Sequence, residues 1–280
     1  MIIVSIDDFR RCVELSKQVG KWQAWSDNYF PKYEGVFVPM LKYLYKCNVT
    51  DLRDAVENFD FDQALAIASK FFRDDGLSLI ESLLPKAKEK CGFDKDYDLY
   101  LLIGLGHVDG TSLPAKTPFL YFGIERYESP ERLKYLVPHE YNHLVRLWSV
   151  YDGEFVEKPS LGEIVMMEGL AVAFSVIVAD DKSPAGMDNA LMALMMSRED
   201  VEFFHEHQEE LMAEVQEHWD DILTSELMDT YLIGSYEWKD GRPTRIGYFV
   251  GAQIVNSVLT KGHEIGTLTK MPTEKIMELS

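Results

Sequence analysis

The sequence predicts an α+β protein that is mostly helical, with a small sheet placed just ahead of one central helix. Three observations carry that expectation. The first ninety residues show helical spacing of apolar positions between short breaks, as in Phe9, Cys12, Val13 and Leu15. Two apolar runs bounded by turn residues, 99–106 and 118–124, have the length of strands. Directly after them, residues 136–146 read LVPHEYNHLVR, the spacing HExxH inside apolar flanks.

Taken in order, the helical segments expected are 7–17, 36–45, 51–58, 61–72 and 77–91, the last kinked by Pro85 because an internal proline removes a backbone hydrogen bond. Trp22, Trp25, Tyr29, Phe30 and Tyr33 are expected to pack between these helices rather than to form a substrate wall. The two strands follow, joined by a loop at 107–111 in which His107 is read as a satisfied loop histidine. An exposed edge of such a sheet can take up an extended peptide as an added strand. Ser129 and Pro130 resemble a cap and first helical position. Pro138 then implies either a kink or a fresh helix start, and the His139 to His143 spacing survives both.

That spacing carries the chemistry. Two histidines four residues apart project from one helical face and can grip a single metal ion, with Glu140 beside them as a candidate general base. The flanks Tyr135, Leu136, Val137, Leu144, Val145, Leu147 and Trp148 make the helix apolar on both sides, hence buried. Burying two imidazoles and a carboxylate is costly without partners, and a metal supplies one. A catalytic zinc site needs a third protein ligand and an open fourth position. Ser160 and Glu163 have the spacing of a capping box that starts the next helix, which assigns Glu163 to the cap. Glu168 is then the lone carboxylate in an apolar helix with small neighbours Gly169, Ala171 and Ala173, and is the expected third ligand.

Downstream, 183–229 is expected to be helical and acidic, with His205, His207 and His218 on solvated faces rather than in a second metal site. Residues 241–251 read as a glycine-punctuated loop leading into an apolar helix at 252–259. The organisation expected is 1–155 for the N-terminal helices, sheet and HExxH helix, and 156–280 for a helical lobe with the third ligand, together one catalytic unit.

Composition bounds the partners. A formal charge of −19 argues against a nucleic acid or anionic membrane, because phosphate recognition needs a basic face. Cys12, Cys47 and Cys91 form no metal-binding or disulfide pattern. The first residues lack the features of a signal peptide, and the apolar run 164–179, interrupted by Glu168, is short for a membrane span. A cytoplasmic protein is expected.

With HEYNH, the later Glu168-Gly169-Leu170-Ala171 and the terminal Gly247-Tyr248-Phe249-Val250-Gly251 in order, the sequence resembles the YjaZ-like predicted Zn-dependent proteases, known as domain of unknown function 2268. The likeness is strongest from about residue 98 onward. It implies a gluzincin-like metallopeptidase acting on a peptide or protein, with Zn²⁺ on His139, His143 and Glu168 and with Glu140 as general base. Tyr248 matches the tyrosine of the glycine-tyrosine motif and is inferred to donate a hydrogen bond to the oxyanion. Arg245 is a candidate partner for a substrate carboxylate or for the site itself. Two departures stand out. Many gluzincins carry an acidic residue four after the ligand glutamate to orient a histidine, and here that position is Val172. The GxMEN element of gluzincin aminopeptidases is absent, which disfavours an amine-anchoring exopeptidase. The alternatives to a peptidase are a non-hydrolytic protein that keeps the metal for binding or regulation, and a helical interaction protein without metal.

Overall fold

Apolar runs and helical periodicities resolve into helices and a four-stranded sheet in the computed structural model, which describes residues 1–45, 47–232, 238–239 and 241–280. The α+β expectation holds at that level. Contacts divide the chain into two units, one of 1–81 with 94–131 and one of 82–93 with 132–280.

In the first unit the sheet has the order β1-β2-β4-β3, from β1 (Ile2–Val4), β2 (Asp98–Leu102), β3 (Gly110–Thr111) and β4 (Phe119–Gly123). Strands β1, β2 and β4 run parallel, with Leu99 opposite Leu120 and Leu101 opposite Phe122, while β3 is an antiparallel edge. The two predicted strands are β2 and β4. Strand β1 is three residues long and β3 lies within the predicted His107 loop, so neither offers a period to read.

Helices α1 (Ile6–Val19), α2 (Lys21–Ala24), α3 (Glu34–Met40), α4 (Val49–Asn58) and α5 (Phe61–Arg73) belong to the same unit as the sheet. The segment expected as one helix over 36–45 changes to a π-helical turn after Met40. Trp25, Tyr29 and Tyr33 are buried, and Tyr29 meets Phe9 edge-on at 5.1 Å, so these aromatics form core as expected. The Tyr29 hydroxyl lies 2.7 Å from both Ser5 Oγ and the Ile103 carbonyl, which satisfies its polar end inside that core. Glu125 is also buried here. One of its oxygens accepts the N–H groups of Gly104 (2.9 Å) and Gly106 (3.1 Å), and the other has no hydrogen-bond partner among the described residues. Burial pushes its carboxyl up to about 7, against the lowering effect of those N–H groups.

Helix α6 (Gly76–Lys90) carries Pro85 inside it and leads from the first unit's sequence into the second. In the second unit α7 (Leu133–Val150) runs unbroken through Pro138, so the motif helix does not start afresh there. Ser129 accepts an N–H from Glu131 in a short 3-10 turn, Pro130–Arg132, rather than capping the motif helix itself. Helix α8 (Leu161–Val178) is capped by Ser160, whose Oγ accepts the Glu163 N–H at 3.2 Å. Glu163 does not return the favour as a capping box requires. Its carboxylate instead accepts hydrogen bonds from the Tyr151 and Thr273 hydroxyls and faces the Arg146 guanidinium at 3.7 Å. At 18 residues α8 is longer than its apolar run suggested and reaches membrane-span length and hydropathy, yet most of it is buried inside the protein as a core helix.

Helices α9 (Gly186–Ala193), α10 (Arg198–Glu206), α11 (Gln208–Glu217) and α12 (Ser225–Tyr231) follow, then α13 (Ile246–Thr260), α14 (Ile265–Thr269) and α15 (Thr273–Met277). Helix α13 starts six residues earlier than expected, taking in Gly247, Tyr248 and Gly251. Its glycines read as loop because glycine costs about 1 kcal/mol in a helix, but here they serve packing. A Cβ on Gly169 of α8 would overlap the Gly251 backbone, and one on Gly251 would overlap the Val165 carbonyl. The two helices therefore cross backbone to backbone.

Candidate metal centre

Helix α7 supplies His139 and His143 one turn apart, and α8 supplies Glu168 facing them. The two Nε2 atoms stand 2.9 Å apart, and Glu168 Oε2 lies 3.2 Å from His139 Nε2 and 3.3 Å from His143 Nε2. Three lone-pair-bearing atoms thus converge on one point. Among the described residues this is the one cluster of histidine, cysteine and carboxylate side chains close enough to share an ion. Ligand atoms around a tetrahedral zinc with bonds of 2.0–2.1 Å are separated by about 3.3 Å, so the spacing and the donor set of two imidazole nitrogens and one carboxylate oxygen both fit zinc. The side chains of His143 and Glu168 keep 13% and 12% of their surface exposed, which leaves an approach for a small molecule.

The electrostatics follow from this convergence. Burial holds His139 below the usual histidine range, with the neighbouring His143 adding to the effect. Burial also acts to lower His143, but the Glu168 and Glu140 carboxylates outweigh it and the net shift is upward. Glu168 is desolvated, and still the two histidines hold it well below the ordinary carboxylate range.

Glu140 is buried on α7 next to His139, and its charge is felt at His143. Tyr248, in the first turn of α13, lies with its ring nearly parallel to that of His139, at 16° and 6.4 Å between centroids. The Gly169–Gly251 crossing brings α13 close enough for that stack. Arg245 precedes α13, with its guanidinium 5.9 Å from the Tyr248 ring centroid. Position 172 is a buried valine, and both histidine Nδ1 atoms are buried with no hydrogen-bond partner among the described residues. The orienting acceptor that the valine cannot provide is not replaced by another described side chain.

The other histidines stand apart. His205 pairs with Asp188 at 2.8 Å, His218 pairs with Asp221 at 2.7 Å, and His207 Nδ1 lies 3.0 Å from the Phe203 carbonyl. His107 is exposed, its ring against Tyr45. Reasoning from sequence overlooked the residues that fix the motif helix from behind. Asn142 donates to Thr269 Oγ1, and the fully buried Arg146 donates to the Thr269 and Met271 carbonyls and to Thr273 Oγ1. Their partners lie more than a hundred residues away, beyond any local pattern. The glycine crossing had a local signal, the four-residue spacing of Gly247 and Gly251.

No curated protein and no solved structure matches the chain. Residues 99–278 match the family described as predicted Zn-dependent protease (DUF2268), a stretch of well over half the chain that includes the three converging residues, Glu140 and Tyr248, and the chain therefore belongs to that family.

Proposed function

We propose that the protein is a zinc-dependent peptidase of the gluzincin type, with His139, His143 and Glu168 as ligands and Glu140 as general base. The observation that carries this reading is the convergence of His139 Nε2, His143 Nε2 and Glu168 Oε2 at separations a tetrahedral zinc requires. When bound, zinc supplies a Lewis acid that acidifies water and polarises a peptide carbonyl. The Glu140 carboxylate takes the proton from the attacking water and later delivers it to the leaving amine nitrogen. The Tyr248 O–H donates to the oxyanion that develops on the carbonyl, strongest where charge is greatest, at the transition state. Burial around His139 and Glu140 excludes bulk water and strengthens each of these interactions. The absence of a GxMEN element disfavours an amine-anchoring exopeptidase.

Metal analysis of wild-type protein beside two variants tests this. Wild type is expected to carry about one zinc per chain and His143→Ala none, as three-ligand sites of this kind predict. Glu140→Gln should keep the zinc and lose peptide hydrolysis by on the order of a hundredfold to ten-thousandfold. Failure of wild type to take up zinc on reconstitution would remove the metallopeptidase reading, whereas a zinc-loaded Glu140→Gln that cleaves normally would remove only the role given to Glu140.

A further inference from the structure

Arg245 occupies the position just before α13 with left-handed backbone angles, φ 66° and ψ 21°. Glycine adopts that conformation without strain and arginine does not. The chain nevertheless keeps a large cation there, and the side chain is engaged on both sides. Its Nη1 donates to the carbonyl of Leu194, the residue that ends α9. Its guanidinium stands 5.9 Å from the Tyr248 ring centroid, within the reach of a cation–π contact. The Arg245 carbonyl also accepts the Tyr248 N–H at 3.2 Å. The same tyrosine ring lies parallel to His139. One strained residue thus holds Tyr248 by backbone and by side chain, and is itself tied to α9.

We propose that Arg245 is a positioning residue that fixes the Tyr248 ring beside His139 and so aims its hydroxyl at the substrate carbonyl. This rests on the reading in which Tyr248 donates to the oxyanion. The strained backbone supports it because the strain would vanish with glycine, so the retained arginine is explained by what its side chain does. A purely structural tie to α9 would need the hydrogen bond to Leu194 but not the placement of the cation over the ring.

The test compares zinc-loaded wild type, Arg245→Gly, Arg245→Lys, Tyr248→Phe and the Arg245→Gly/Tyr248→Phe double variant on a peptide substrate, and adds crystal structures of the metal-free wild type and Arg245→Gly. Arg245→Gly is expected to lower kcat about tenfold with little change in KM, the scale of a lost cation–π contact. Arg245→Lys should recover most of that loss. In the Tyr248→Phe background Arg245→Gly should cost nothing further, since both act through one hydroxyl. The metal-free Arg245→Gly crystal should show the Tyr248 ring turned out of the plane parallel to His139. Should the glycine variant fail to fold, Arg245→Gln, which keeps a donor for Leu194 but no charge, replaces it with the same expectations. Losses that add in the double variant, or a Tyr248 ring unmoved in the variant crystal, would overturn the proposal while leaving the metallopeptidase reading intact. A Tyr248→Phe enzyme with wild-type kcat would instead overturn the oxyanion role, and Arg245 with it. If no variant and no wild type cleaves peptides, the ring position in the crystals decides the positioning claim alone.

Discussion

A buried carboxylate with one oxygen unpartnered among the described residues is an unusual thing to keep in a core, and Glu125 shows what it does to the pH response. Its carboxyl is raised from 4.5 to about 7, so the folded protein holds this proton more tightly than the unfolded chain does. The sign follows directly. Glu125 favours the fold most below its unfolded value, and that advantage is lost as pH rises from about 4.5 through about 7. Glu125→Gln keeps an acceptor for the Gly104 and Gly106 N–H groups but cannot ionise. Urea unfolding across this range should show wild type losing on the order of 3 kcal/mol relative to the variant. A difference that stays constant with pH would contradict the shift. Arg146 is the opposite case, a buried charge whose donors reach two carbonyls and a hydroxyl. Burial still drags it down to about 10, against the pull of Glu163. Arg146→Met leaves Glu163 and those acceptors without their cation, and is expected to cost about 3–5 kcal/mol in denaturant unfolding.

Helices set the next level, and the α8–α13 crossing shows how two glycines decide where a tyrosine stands. Gly251→Ala forces backbone apart and is expected to destabilise by about 1–3 kcal/mol or more and to shift Tyr248 off His139. Gly35→Ala is the matched comparison, because a Cβ there meets nothing within 4 Å and Gly35 lies in α3 with ordinary helical φ. It should leave stability unchanged or raise it by up to about 1 kcal/mol. Thermal unfolding of the pair separates glycine as close contact from glycine as chance. This crossing also marks the limit of what the sequence made legible. The convergence of His139, His143 and Glu168 was legible because paired histidines at helical spacing and a lone carboxylate in an apolar helix are patterns of residue type and spacing, and strands β2 and β4 were legible as apolar runs. The early start of α13 was not, since glycine's local preference argues for loop until a partner helix is known. The same holds for Glu163, whose spacing from Ser160 suggests a cap until Tyr151, Thr273 and Arg146 claim it. Long-range partners decide between local alternatives that look equal along the chain.

For the molecule as a whole, charge is the dominant global term. At −19 the chain repels itself, most strongly when compact. Raising ionic strength from about 0.01 M to about 0.15 M shortens the screening length from about 30 Å to about 8 Å. The thermal midpoint of metal-free protein is therefore expected to rise over that interval, and a flat or falling midpoint in scanning calorimetry would show that local ion pairs outweigh net repulsion. Size and distance also impose an order of events. The guanidinium of Arg146 finds its acceptors at Thr269, Met271 and Thr273, the last of them 127 residues further along. On a ribosome adding about 5–20 residues per second, the motif helix is made roughly 6–25 s before the groups that satisfy its buried arginine. During that interval the nascent motif helix carries an arginine whose acceptors at Thr269, Met271 and Thr273 have not yet been made, so a chain stopped short of residue 269 leaves Arg146 without them.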